Sequence, residues 1–244
     1  MGSIQPSDSI DISPKLFSLF QRIEEDFTAS TLGEERWYLL AATAISGGPN
    51  PQTVGDLYKY LIQRPQYQTS QARQALVRRL REALVKSVSI LGVCKPIESI
   101  LAIAELEHEE DKDLTCSRDD WACDEANVVR SEDWMRKIYK HNMEGVLDLF
   151  SSHKDFAWIS VHITYGLYLS DRQILDDIDT QIVVLTGIMI QNLRLETHWH
   201  IRGTRRLGVP KEDVAKLCNR VQDIAKLSGL VLDRVATIDE VQDI

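Results

Sequence analysis

No Cys-x-x-Cys pair occurs in this sequence, no run of about 18 apolar residues passes without a polar interruption, and acidic side chains outnumber basic ones, 37 to 28. Each absence excludes a class of function. The four cysteines, Cys94, Cys116, Cys123 and Cys218, are scattered, and none stands at a zinc-like spacing from a histidine. Reduced thiols are expected, including the Cys116-x6-Cys123 pair in its acidic surroundings. A net charge of -9 argues against nucleic acid or anionic membrane as a partner. The opening MGSIQPSDSIDISPK has neither an apolar signal core nor an arginine-rich amphipathic pattern, so the cytosol is the expected compartment. Nothing alternates with period two for long enough to build a sheet, and the expected fold class is all-α.

What is present is a series of helices with readable ends. Residues 1–13 read as a loose arm. Pro14 opens a helix through about Thr28; a second is expected from near Thr31 to Ile45, ended by Gly47-Gly48-Pro49. Thr53 to Asp56 resembles a capping box before Leu57–Ile62, and Ser70 opens the strongest helix of the first half, closed by Gly92. Pro96 launches a helix to about Glu107. The charged stretch 109–130 is expected to link an N-terminal half, 14–108, to a C-terminal half, 131–244. In that second half helices are predicted at 131–151, 155–169, 171–192, 194–207 and 210–228, with Ser170-x-x-Gln173 and Pro210 as starts and Gly229 as a stop. Sliding the chain by 98 residues lays 82–103 on 180–201 with most apolar positions coinciding, which suggests a diverged duplication.

Chemistry concentrates in Glu196-Thr197-His198-Trp199-His200. Spacing of four puts Glu196 and His200 on one helix face, where a carboxylate can orient an imidazole for proton transfer. The preceding segment 181–190 is apolar nearly all round, which predicts a buried helix beside the pair. His198 lies on the other side of the helix, and metal binding by His198 and His200 would need a third ligand. Trp199 could wall a pocket or pack in the core, and one of Arg202, Arg205 and Arg206 could grip a substrate carboxylate or pair with an acid. Trp158, His162 and Tyr165 share a predicted face that reads as a core or interface stripe.

Residues 180–214, TQIVVLTGIMIQNLRLETHWHIRGTRRLGVPKEDV, resemble the carboxymuconolactone decarboxylase family of the AhpD-like all-helical superfamily. Glu196, His200, Gly203, Gly208 and Glu212-Asp213 fall on the places of its motif. Leu193 and Glu196 occupy the sites of the two cysteines of thiol-peroxidase members, and Gln181 stands where those members carry a glutamate. The resemblance implies an AhpD-like bundle and a cofactor-free, metal-free lyase or isomerase for a small carbonyl acid or lactone. His200 oriented by Glu196 would be catalytic, with His198, Trp199, Gln181 and Arg202 as substrate contacts. It also implies a homo-oligomer, dimer or trimer. A non-catalytic oligomeric scaffold and a thiol peroxidase using Cys94 or Cys218 are the alternatives.

Overall fold

In the computed structural model, which describes residues 12–242, the chain forms α1 (Pro14–Thr28), α2 (Trp37–Gly47), α3 (Val54–Ile62), α4 (Ser70–Leu91), α5 (Cys94–Ala104), α6 (Glu125–Tyr139), α7 (Met143–Asp148) and α8 (Lys154–Trp158). A π-helical segment (Ile159–Leu169), α9 (Asp177–Met189), α10 (Arg194–Arg206) and α11 (Lys211–Leu227) complete it. Among the described residues there is no strand, and the protein is an all-α bundle. The arm expected at 1–13 lies mostly outside the described residues. No described helix is long and apolar enough to cross a membrane.

Two helices without a solvent face organise the packing. Every residue of α2 is buried, and so is α9 from Asp179 onward, which is why neither shows an amphipathic stripe. α4 lies against both. A Cβ at Gly187 would sit 3.2 Å from Ile90, so glycine lets α9 approach α4 closely. The main apolar core draws on α1 to α5 and also on α9 to α11, and the two halves of the chain are therefore one packing unit. A smaller core joins α6, the π segment and the outer side of α9.

The charged stretch after α5 is stitched to α4 by ion pairs. Arg73 grips the fully buried Asp111 with two nitrogens at 2.6 and 2.9 Å, and Arg78 and Arg81 both reach Asp113. Arg118 then embraces Glu82 at 2.6 and 2.7 Å. An acidic stretch opposite an arginine-rich helix face has a docking site, so it does not behave as a free linker.

Local chemistry explains where helices begin and end. Ser13 accepts from the Leu16 amide at 3.3 Å with Pro14 in the first turn, and α1 starts where the sequence places it. α4 is capped by Thr69, because the hydroxyl of Ser70 donates to the Glu110 carbonyl. α2 begins only at Trp37; Thr31 instead donates its amide and hydroxyl to Asp213 at 2.9 and 2.6 Å, joining that loop to α11. Thr53 makes no side-chain cap, and α5 starts at Cys94, ahead of Pro96. Ser170-x-x-Gln173 does not open a helix either. The start of α9 is a capping box of Asp176 and Asp179, with Arg36 bonded to both carboxylates. The helix predicted at 131–151 begins earlier, capped by Asp124, and stops at Tyr139 because Lys140 takes a φ of 48°. α4 and α9 end at Leu91 and Met189, 98 positions apart, the offset at which their sequences align.

Candidate functional site

The turn between α9 and α10 sets the position of the site. Asn192 adopts a φ of 60°, which asparagine tolerates better than most residues, and its side chain holds Asp233 and the Arg234 amide, each at 2.8 Å. α10 therefore leaves the turn in a fixed direction. At Gly203 a Cβ would lie 2.6 Å from Ile138, so α10 is pressed onto α6 at a contact that only glycine permits without rearrangement.

Glu196 and His200 share one face of α10, as their spacing predicts, and both line a cavity of about 230 Å³. Its floor is His200 with Tyr139 of α6 and Tyr165 of the π segment. Met135, Val184 and Ile188 make apolar walls, while Trp199, Ser160, Thr164 and Phe150 stand half-buried toward its opening. The void beside the imidazole is present.

The partners of His200 differ from those expected. Its Nε2 lies 3.4 Å from the Tyr165 hydroxyl and 3.5 Å from that of Tyr139, and the two hydroxyls are 2.6 Å apart. On the other side, the Gln181 amide nitrogen donates to the His200 carbonyl at 3.0 Å and faces Nδ1 at 3.2 Å. A carbonyl only accepts, so the nitrogen of this amide is the atom pointing at the ring. The same nitrogen also faces the Thr204 hydroxyl at 3.2 Å, and with a donor group against Nδ1 the ring proton is assigned to Nε2, directed at the tyrosine pair. Glu196 makes no hydrogen bond to His200. With a rim carboxylate and a buried ring, the amide at position 181, not the carboxylate one turn earlier, orients the imidazole.

Burial decides the protonation of this cluster. Desolvation holds the His200 imidazole down at about 3, so it is neutral across the physiological range. Burial likewise pushes Tyr139 up to about 12 and Tyr165 well above the usual phenol value. Three neutral groups make a hydrogen-bonding floor that can donate to a substrate oxygen and gains strength as negative charge develops there.

His200 also links stability to acid. Its folded value lies below the ordinary 6.5, so between those values the unfolded chain binds the extra proton, and stability falls as pH drops through that window. Between pH 7 and 5 the wild-type chain should lose about 2 kcal/mol more unfolding free energy than His200→Gln. Urea titrations at the two pH values measure this; equal losses in both proteins would show that the ring is charged or exposed.

Of the other residues predicted at the site, Trp199 is placed there, packed edge-on to Tyr139 with ring centres 6.4 Å apart. Gln181 is buried behind His200, outside the cavity lining, and acts on the ring in place of a substrate. His198 lies on the other face, toward Glu240, whose carboxyl is held down mainly by the Thr237 amide and Arg194. Arg202 is buried and its charge is felt at Tyr139, yet it does not line the cavity; Arg206 holds the carbonyls of Ile138 and Tyr139 at the end of α6. Tyr139 carried no sequence signal. Tyr165 was legible only as part of a stripe that the π-helix divides: Trp158 and His162 stack with centres 5.0 Å apart, while Tyr165 turns inward and bonds Tyr139. A π-helical register aligns Ser160, Thr164, Tyr165 and Leu169 on the cavity, a spacing that an α-helical reading misplaces.

All four cysteines are free thiols; burial pushes Cys218 up to about 12, which makes it a poor nucleophile. No group of three or more His, Cys, Asp or Glu side chains placed to hold a metal occurs among the described residues.

No family model matches the chain, and no solved structure matches it. Over 203 residues it is 23% identical to a protein of Schizosaccharomyces pombe named Peroxisomal protein 2, a similarity that covers 79% of this chain and 87% of the relative.

Proposed function

We propose that the chain is a cofactor-free lyase or isomerase related to the carboxymuconolactone decarboxylases, acting on a small carbonyl compound through an enolate. The observation that carries this reading is a cavity in which one half-buried carboxylate, Glu196, shares walls with the neutral Tyr139, Tyr165 and His200. An imidazole whose conjugate acid has a pKa near 3 is a weak base, so the proton-accepting role passes from His200 to Glu196. A substrate carbonyl oxygen accepts from the tyrosine floor. Glu196 removes a proton from the neighbouring carbon, the carbonyl π electrons move onto oxygen, and the hydroxyls hold the enolate. With a β,γ-unsaturated carbonyl compound the intermediate is a dienolate, and return of that proton from Glu196 to the γ-carbon, as the C=O bond re-forms and the C=C bond moves into conjugation, completes an isomerisation. His200 donates to a tyrosine oxygen and polarises the floor, while Gln181 keeps the ring in that tautomer.

The test is deuterium uptake at carbon when ketones, lactones and keto acids are incubated with the protein in heavy water, with carbon dioxide release followed in parallel. Uptake that is lost in Glu196→Gln and kept when all four cysteines are replaced by serine is the expected result. Loss on cysteine replacement alone would move the chemistry to the thiols.

A second reading, an oligomeric scaffold without turnover, has one observation in its favour. Leu149, Phe156, Trp158 and Ile159 are exposed together on α8 and its flanks, and Phe156 stacks on Phe150 at the cavity wall. Self-association through this patch, as a dimer or trimer, is compatible with both readings, whereas an oligomer in sedimentation with no exchange on any substrate favours the scaffold. For its compartment, the name of the S. pombe relative supports a peroxisomal setting over the cytosol; a fluorescent fusion that fails to overlap a peroxisomal marker would return it to the cytosol.

A further inference from the structure

We infer that this cavity selects uncharged, compact carbonyl compounds, such as monocyclic ketones, enones and lactones, and rejects carboxylates of the same size. The inference rests on the proposed proton-transfer site and decides between its two reactions.

Charge carries the first part. Among the described residues Glu196 is the one carboxylate on the cavity wall, and no lysine or arginine of that set lines it. Arg202, the cation felt at Tyr139, lies outside that lining. A carboxylate entering this space would leave water with no cation to meet it and with like charge at the rim. Its compensation would come from neutral groups, the floor of Tyr139, Tyr165 and His200 and the hydroxyls of Ser89, Ser160 and Thr164. A neutral carbonyl faces none of that cost and needs only the donors at the floor.

Size carries the second part. A volume of about 230 Å³ holds roughly eight water molecules at the volume each occupies in the liquid. A single ring with a carbonyl and one or two substituents fills it, with its apolar body against Val184 and Ile188. A nucleotide-bearing thioester would have to leave its nucleotide outside the opening. Decarboxylation needs a carboxylate inside the cavity, so the lining favours isomerisation or lactone chemistry, in which a C–H proton moves to Glu196 and returns at another carbon.

Binding can be read without turnover, by calorimetric titration of the full chain at neutral pH with cyclohexanone, δ-valerolactone and cyclohexanecarboxylate. The neutral probes should bind at least about tenfold more tightly than the carboxylate, and Glu196→Gln should raise the affinity for the carboxylate relative to that for cyclohexanone about tenfold. Ile188→Trp, which fills the cavity, should abolish binding of all three; if it does not fold, the Glu196→Gln comparison stands by itself. Carboxylate affinity equal to or above that of the ketone in the wild-type chain overturns the inference, and so does a Glu196→Gln chain with carboxylate affinity unchanged relative to that for cyclohexanone. Selective binding of the neutral probes with no deuterium exchange would refute the proton-transfer reading while leaving this selectivity in place. Exchange on keto acids with no preference for neutral probes would do the reverse.

Discussion

Replacing Glu82 by alanine should destabilise the protein by about 3–5 kcal/mol, because it removes a buried carboxylate shared by two cations, one of them a lysine with no exposed surface. Glu82 lies on α4 and is almost fully buried; Arg118 meets both of its oxygens and the Lys86 ammonium stands 3.4 Å from one of them. Lys86 has no exposed side-chain surface and is otherwise held by carbonyls, that of Asp171 at 2.8 Å and those of Tyr168 and Leu169 at 3.4 Å. Burial already brings this lysine down to about 8, with Glu82 as the main opposing influence. Without the Glu82 carboxylate, the ammonium must either lose its proton or remain charged with carbonyl dipoles and the weaker influence of the Asp171 carboxylate. Denaturant titration of Glu82→Ala measures the cost, and the double variant Glu82→Leu with Lys86→Met should recover part of it by removing both charges at similar volume. A single variant within about 0.5 kcal/mol of wild type would mean that the network is solvated, and the path of the chain from Arg118 to Asp171 would need another explanation.

The same network shows what was and was not legible in the sequence. Helix identity was readable wherever apolar periodicity was strong or absent altogether, as in α1, α4 and the apolar run that becomes α9. The stretch 109–130 was misread because its composition resembles a solvated linker. Its Asp111 and Asp113 are the partners of arginines some 30 to 40 positions earlier, its Arg118 is the partner of Glu82, and composition does not encode that pairing. The start of α2 differs for a related reason: Thr31 is a capping type by identity but spends its hydroxyl on the distant Asp213, whereas α4 starts at Ser70 as expected, with the cap shifted to Thr69 because the Ser70 hydroxyl goes to the Glu110 carbonyl. At the site, i to i+4 geometry placed Glu196 and His200 on one cavity correctly, since that depends on one helix alone. The partner of the imidazole depends on where α9 and α6 cross it, and so Gln181 and Tyr139 emerged only in three dimensions. Tyr165 needed the π-helix as well, for which periodicity analysis has no template.

Exchange of substrate hydrogen should fall by about 10² to 10⁴ in Glu196→Gln, the range over which a positioned acid–base group contributes, equivalent to about 3–5 kcal/mol of barrier. Glutamine keeps the size and a carbonyl acceptor and removes only the ability to take a proton, so KM should change little while kcat falls. Tyr165→Phe deletes one of the donors facing the enolate oxygen and should cost about 10² to 10³ in kcat. His200 acts through the tyrosines and is a positioning residue, which gives it a different signature. His200→Gln should lower kcat by less than Glu196→Gln does, and the wild-type pH profile should show no inflection near 6.5 that disappears in the variant, because the buried ring stays neutral down to about 3. An inflection there, lost with His200, would make the imidazole itself the base. That result would require substrate binding to raise the ring's proton affinity by several powers of ten, which an enolate held against Nε2–H could do only by replacing the tyrosine hydroxyls as its partner. Both hydroxyls lie 3.4 and 3.5 Å from Nε2 and 2.6 Å from each other, so an oxygen that takes the Nε2 proton's hydrogen bond has to displace them as its partners. A base at the rim and a neutral donor chain at the floor is the division of labour that follows from where the α10 face meets water.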